Sequence, residues 1–170
     1  MQTPPAIRTV SVERFGLVSA RPFNDVLASL EAAIGHPEIA AFWKQVGLAR
    51  TFAELEKVVA GAVGSSGLME FTRFDLGRIL RMESGDPNSP RILRLVIGNP
   101  LVMKEMAKHV SDTGSYAPVT VLVDERADGV HLSYDRMASL LAPYGSAEAL
   151  KVAGELDAKI EGLLTKAVEG

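Results

Sequence analysis

A run of strand formers, Ile92-Leu93-Arg94-Leu95-Val96-Ile97, breaks at Gly98-Asn99-Pro100 and continues as a helical pattern to about residue 110. Gly98 tolerates backbone angles that a side chain forbids. Asn99 is pushed toward extended geometry by the proline after it, and a short polar side chain in that geometry is a good helix N-cap. Pro100 then occupies the first helical position, where its missing N–H costs nothing and its fixed φ is already helical. The chain must therefore turn from strand to helix here. A helix start leaves unpaired N–H groups that, with the helix dipole, can hold an anion. Gly98, Asn99 and Pro100 are accordingly the first ligand-binding candidates.

The rest of the chain alternates between the two periodicities. Residues 1–6, with Pro4-Pro5, read as an irregular start. Residues 7–18 read as a strand, with a bend at Gly16. Phe23, Val26, Leu27, Leu30 and Ile34 make one stripe of an amphipathic helix, which Gly35 can stop and which must lie on a sheet. Pro37 can start a second helix, and Thr51-Phe52-Ala53-Glu54 matches a capping box that opens a third. Gly61, Gly64, Ser65, Ser66 and Gly67 lack the lysine and spacing of a phosphate loop and read as a flexible connection.

Residues 68–75 alternate as a strand, and residues 76–83 favour a short helix over a strand extension. After an obvious loop at 85–90 and the stretch just described, residues 119–123 are apolar at nearly every position, which indicates a strand buried on both faces or at least central in its sheet. Asp128-Gly129 is a hairpin signal, so the strands on either side should pair antiparallel. Ser146 caps a long last helix with Ala149, Ala153, Leu156, Ile160, Leu163 and Ala167 inward.

Composition narrows the classes. At 170 residues and 47% hydrophobic, the chain can bury a single core. Eighteen basic against 21 acidic residues give a net charge of −3, which argues against a protein built to neutralise nucleic-acid phosphates. With no cysteine there is no disulfide, thiolate metal site or cysteine nucleophile. No signal-peptide core and no run of roughly 20 apolar residues is present, so a cytoplasmic protein without membrane contact is expected.

Several motifs together carry a resemblance. They are Ser19-Ala20-Arg21-Pro22-Phe23 before an amphipathic helix, Phe74-Asp75, Leu95-Val96-Ile97-Gly98-Asn99-Pro100, Val121-Leu122-Val123-Asp124-Glu125, Asp128-Gly129-Val130 and Leu132-Ser133-Tyr134-Asp135. Over residues 10–34 and 68–144 the chain resembles the family catalogued as domain of unknown function 302. The resemblance implies an α+β fold, an antiparallel β-sheet packed on one side by helices in a β-α-β(4)-α-like (TBP-like) two-layer arrangement, often as a homodimer and with no established activity. The whole chain is then one domain. Its core is 7–35 and 68–145, residues 36–67 are a helical insertion carrying Phe42 and Trp43, and 146–168 form the last helix. One departure is Leu76, where family members commonly carry a histidine.

The chemical candidates are sparse. His131, Ser133 and Asp135 have the residue types of a nucleophilic triad, but same-face strand neighbours stand ~7 Å apart, too far for its hydrogen bonds. Asp75, Asp124 and Tyr134 are the weak catalytic candidates, grouped around the Gly98 turn. Arg94 interrupts an apolar strand and is expected to pair with Asp124 or Glu70, or to join a ligand site. Met103, Met106 and His109 read as a core stripe and helix end, not as metal or haem ligands. No metal and no cofactor are expected. The function expected is a homodimeric module binding a small anionic or apolar ligand; the alternative is an enzyme of unknown reaction.

Overall fold

A computed structural model describes residues 6–170; residues 1–5, most of the irregular start, lie outside the described residues. The elements in chain order are β1 (Arg14–Ser19), α1 (Phe23–Ala33), α2 (Ile39–Leu48), α3 (Phe52–Ala62), β2 (Met69–Asp75), α4 (Leu76–Ser84), β3 (Ile92–Gly98), α5 (Pro100–Ala107), β4 (Val119–Arg126), β5 (Gly129–Asp135), α6 (Met137–Leu141) and α7 (Ala147–Glu169). The strands form one antiparallel sheet in the order β1-β5-β4-β3-β2. The α+β class expected from the sequence is the class observed.

Alternation along each strand divides the sheet into two faces. Leu95 and Ile97 of β3, Val119, Val121 and Val123 of β4, and Val130, Leu132 and Tyr134 of β5 point to the helical side and are buried. There they meet Phe23, Val26 and Leu30 of α1, Met106 of α5 and the inward stripe of α7. Every residue expected inward on the last helix is buried: Ala149, Ala153, Leu156, Ile160, Leu163 and Ala167. On the other face Thr120 is exposed and Leu122 half-buried, so β4 is central but open on one side. Among the described residues no helix is long and apolar enough to cross a membrane.

Three readings of the sequence need correction. The first strand begins at Arg14, not at residue 7, because its sole partner β5 ends at Asp135, opposite Arg14. It also runs straight through Gly16. The helix after Pro100 ends at Ala107 and gives way to a 3-10 turn at Ser111–Ser115.

The third correction concerns the glycines after α3. They are not a loose connection but a clasp. Leu68 O accepts both Gly35 N–H and Gly64 N–H at 2.9 Å, Ser66 N–H donates to Ala33 O at 2.9 Å, and Glu70 N–H to Gly35 O at 2.8 Å. A Cβ on Gly35 would lie 2.0 Å from Ala62 O, and one on Gly64 2.5 Å from Ala33 O. Only glycine permits these backbones to approach so closely. The helices α2 and α3 thus leave and rejoin the domain at one point, and they carry their own small core of Phe42, Val59 and Ala62 against Met69.

Candidate functional site

The turn from β3 to α5 has the local chemistry its sequence requires. Asn99 is extended (φ −141°, ψ 120°), and its Oδ1 accepts Leu101 N–H at 2.9 Å as the N-cap of α5. Its Nδ2 donates to Gly67 O at 2.9 Å, tying the helix start to the end of the clasp. Both ends of this amide are therefore engaged within the fold. Met103 N–H donates to Asn99 O at 3.0 Å and Pro100 has no N–H, so of the first turn only the Val102 N–H is left for an outside acceptor.

Behind this turn lies a cavity of about 210 Å³. Its lining includes Gly98, Asn99 and Pro100 from the turn, Met103, Met106 and Leu156 from the helices behind it, and Phe71 and Trp43, the last 49% exposed at its open mouth. It sits on the seam between the main core, which supplies Met106 and Leu156, and the small core around Phe42. Trp43 is held edge-on to Phe42, with ring centroids 5.1 Å apart, and tilted against Phe71 at 6.1 Å. The side chains lining the cavity carry no ionisable group; of their two hydrogen-bonding groups the Asn99 amide is already satisfied and the other is the Trp43 indole N–H.

The remaining sequence candidates do not join this cavity. Arg94 is exposed on the open face of the sheet, where its guanidinium lies 5.4 Å from the Phe74 ring centroid. Neither expected partner takes it. Asp124 accepts Arg126 Nε at 2.6 Å, and Glu70 accepts Arg73 Nε at 2.6 Å. The expectation failed because it assumed a strand covered on both faces, whereas an arginine on the open face needs no partner. Arg94 also stands four residues from Gly98, about 13 Å along the strand.

Asp75 caps α4, its Oδ1 accepting Arg78 N–H at 2.9 Å and its Oδ2 accepting Arg81 at 2.8 Å. In the β2–β3 ladder it stands opposite Leu93, while Gly98 stands opposite Met69, six residues and about 20 Å away. Asp124 lies on the open face, in register with Ile92. Tyr134 lies on the helical face and its hydroxyl donates to Asp157. These three candidate catalytic residues are thus brought neither to the turn nor to one another. His131 binds Asp128 at 2.8 Å and Asp135 binds Arg14 at 2.6 Å, so the histidine and the aspartate of the would-be triad are each engaged with another partner. Met106 is core, Met103 lines the cavity and His109 is exposed.

A fully buried polar cluster has no counterpart among the sequence expectations. Asp157 is fully buried within α7 and accepts Tyr134 O–H at 2.7 Å, Met137 N–H at 2.7 Å and Ala138 N–H at 3.1 Å. It caps α6 from another helix. Burial first, and then this hydrogen bond, raise the Tyr134 hydroxyl above its ordinary pKa. The available signal was an acidic residue four after Ala153 and three before Ile160, on the inward stripe itself.

Among the described residues no group of His, Asp and Glu gathers in a metal-holding arrangement. A family model described as "Domain of unknown function DUF302" matches residues 44–167, a span that starts within α2 and takes in α3. The crystal structure of an uncharacterized conserved DUF302 protein from Bacillus stearothermophilus is similar in fold, with a TM-score of 0.61 at 13% identity over 91% of this chain and 97% of that one. No curated protein matches the sequence.

Proposed function

The chain belongs to the DUF302 family, whose description assigns no activity, and from its own geometry we propose that it is a binding domain for a small, uncharged, apolar ligand held behind the Gly98-Asn99-Pro100 turn. The observation that carries this reading is the cavity of about 210 Å³ walled by Trp43, Phe71, Met103, Met106 and Leu156. An apolar cavity of roughly 150 Å³ is enough to take up benzene, so a single ring or a short alkyl chain fits this one. An apolar ligand is favoured over an anionic one because a charge brought here would be desolvated with no cation to meet it, only the Val102 N–H and the Trp43 indole N–H among the lining donors. Catalysis is not favoured, since titratable groups do not converge on the cavity.

Trp43 is the sole tryptophan and forms part of the wall, so its emission reports occupancy directly. Titration with 1-octanol and with octanoate, matched in chain length, should give a saturable change in Trp43 emission for the alcohol. Octanoate should bind at least about tenfold more weakly, the loss expected from little more than 1.4 kcal/mol of uncompensated desolvation. Val102→Phe, which fills the cavity from the half-buried flank of α5, should abolish the change while leaving the melting temperature near that of the parent. Absence of a saturable signal, or octanoate binding as tightly as octanol, would overturn the reading. The cytoplasmic location expected from the sequence is part of the same proposal, and a fluorescent fusion checks it.

A further inference from the structure

The open face of the sheet carries a second concavity. Strand register sets Gly16, Ser133, Leu122 and Arg94 side by side, since Gly16 pairs with Ser133, Ser133 with Leu122 and Leu122 with Arg94. Thr120 precedes Leu122 by two residues and so shares its face. Arg14 and Asp135 pair with one another in the next row, two residues along from Gly16 and Ser133. All of these except Gly16, together with Tyr116 and Leu140, line a depression of about 450 Å³.

Three charged side chains line it: Arg14, Asp135 and Arg94. Arg14 and Asp135 offset each other through two hydrogen bonds, at 2.6 and 3.0 Å. Arg94 meets no carboxylate among the described residues; its guanidinium is held 5.4 Å from the Phe74 ring centroid, a contact with the ring face that leaves its N–H donors free. The Thr120 and Ser133 hydroxyls likewise have no hydrogen-bond partner among the described residues. An exposed arginine alone is ordinary, but here the free guanidinium borders a depression in which every other charge is cancelled. The net charge of the lining is one positive, which complements one negative charge. A dianion would bring its second charge toward Asp135, and an uncharged molecule would leave the guanidinium unused. Leu122 and Leu140 offer an apolar surface beside it, and the volume is that of an ordinary small-molecule site.

We propose that this depression is a second ligand site, for a small monocarboxylate with an apolar body, its carboxylate bound by the Arg94 guanidinium and its body against Leu122 and Leu140. Met106 and Leu156 of the cavity belong to the core on the helical side, so the two sites stand or fall independently.

Amide chemical shifts of the isotope-labelled intact chain, followed during titration with benzoate, test it. Saturable shifts are expected at Arg94, Thr120, Leu122 and Ser133. Arg94→Gln should weaken binding by about tenfold or more, as for the loss of a charge-assisted pair. Its melting temperature should match the parent's, because Arg94 is exposed and makes no ion pair within the described chain. Thr120→Glu, at an exposed position, sets a carboxylate into the depression and should abolish the shifts. Val102→Phe, which fills the cavity behind the Gly98 turn, should leave benzoate affinity unchanged. Shifts that do not saturate at millimolar benzoate, an unaltered affinity in Arg94→Gln, or benzyl alcohol or inorganic phosphate binding as tightly as benzoate would overturn the proposal.

Discussion

The Tyr134 hydroxyl and the Asp157 carboxylate, drawn from β5 and α7, meet at 2.7 Å inside the core. Asp157 also receives the first N–H groups of α6, and Arg136 approaches its Oδ2 to 3.8 Å. Asp157→Ala would strand a buried hydroxyl and two helix-end donors. It should cost about 3–5 kcal/mol, the range for removing one side of a buried charged network. Tyr134→Phe removes one of these donors and should cost about 1–2 kcal/mol. Urea unfolding of both variants checks the order as well as the size.

Tyr134 also predicts the alkaline limit of stability. Its folded pKa is raised by burial and by Asp157 from an unfolded value near 10.0. Above that value the unfolded chain loses the proton while the folded chain keeps it, so the unfolded state binds fewer protons and stability falls as pH rises. The contribution of this group is complete below the unfolded value and is lost as pH climbs toward the folded one. Stability measured from neutral pH upward should decline beyond pH 10 in the parent, and Tyr134→Phe should show a shallower decline.

Opposite outcomes are expected from the same substitution at different glycines. Gly35→Ala and Gly64→Ala would drive a methyl into backbone at 2.0 and 2.5 Å, and each should cost about 3 kcal/mol or more, the upper end for overpacking. Gly61 in α3 and Gly162 in α7 have open space where a Cβ would go. Alanine at either should stabilise by about 0.5–1 kcal/mol through helix propensity and a less entropic unfolded chain. Thermal melts of the four variants would separate the two groups.

Asn99 should prove to be a folding residue first. Asn99→Ala removes the cap, worth about 1 kcal/mol, and the bond to Gly67 O, worth about 1 kcal/mol more. Asn99→Asp keeps the cap but sets a carboxylate against that carbonyl oxygen. Hydrogen exchange should show the 64–67 clasp opening more readily in Asn99→Asp, with the α5 start still protected.

Much of this architecture is legible where neighbouring signals agree. The Gly98-Asn99-Pro100 turn, the Asp128-Gly129 hairpin, the Thr51 capping box and the inward stripe of α7 all stand as read, each set by residues within a few positions of one another. What escaped was decided at long range. The ion pair expected of Arg94 does not form, because nothing local in the sequence says which face of β3 is covered. The clasp escaped because Gly35 and Gly64 acquire their meaning only when brought together, 29 residues apart in the chain. Trp43 joined the cavity by the same route, through the docking of α2 beside Phe71.

The clasp at Leu68 O bears on how this cavity can change. A segment whose two ends share one acceptor is geometrically closed: it can be exchanged for another of different length without shifting the register of β2 on β3. Since Trp43 rides on that segment while Met103, Met106 and Leu156 belong to the sheet-and-helix body, the cavity has one replaceable wall and one permanent one. A graft of residues 36–63 therefore alters what the cavity admits, and it folds with the host only if it again covers Met69 of β2 and meets the close approach at Gly35.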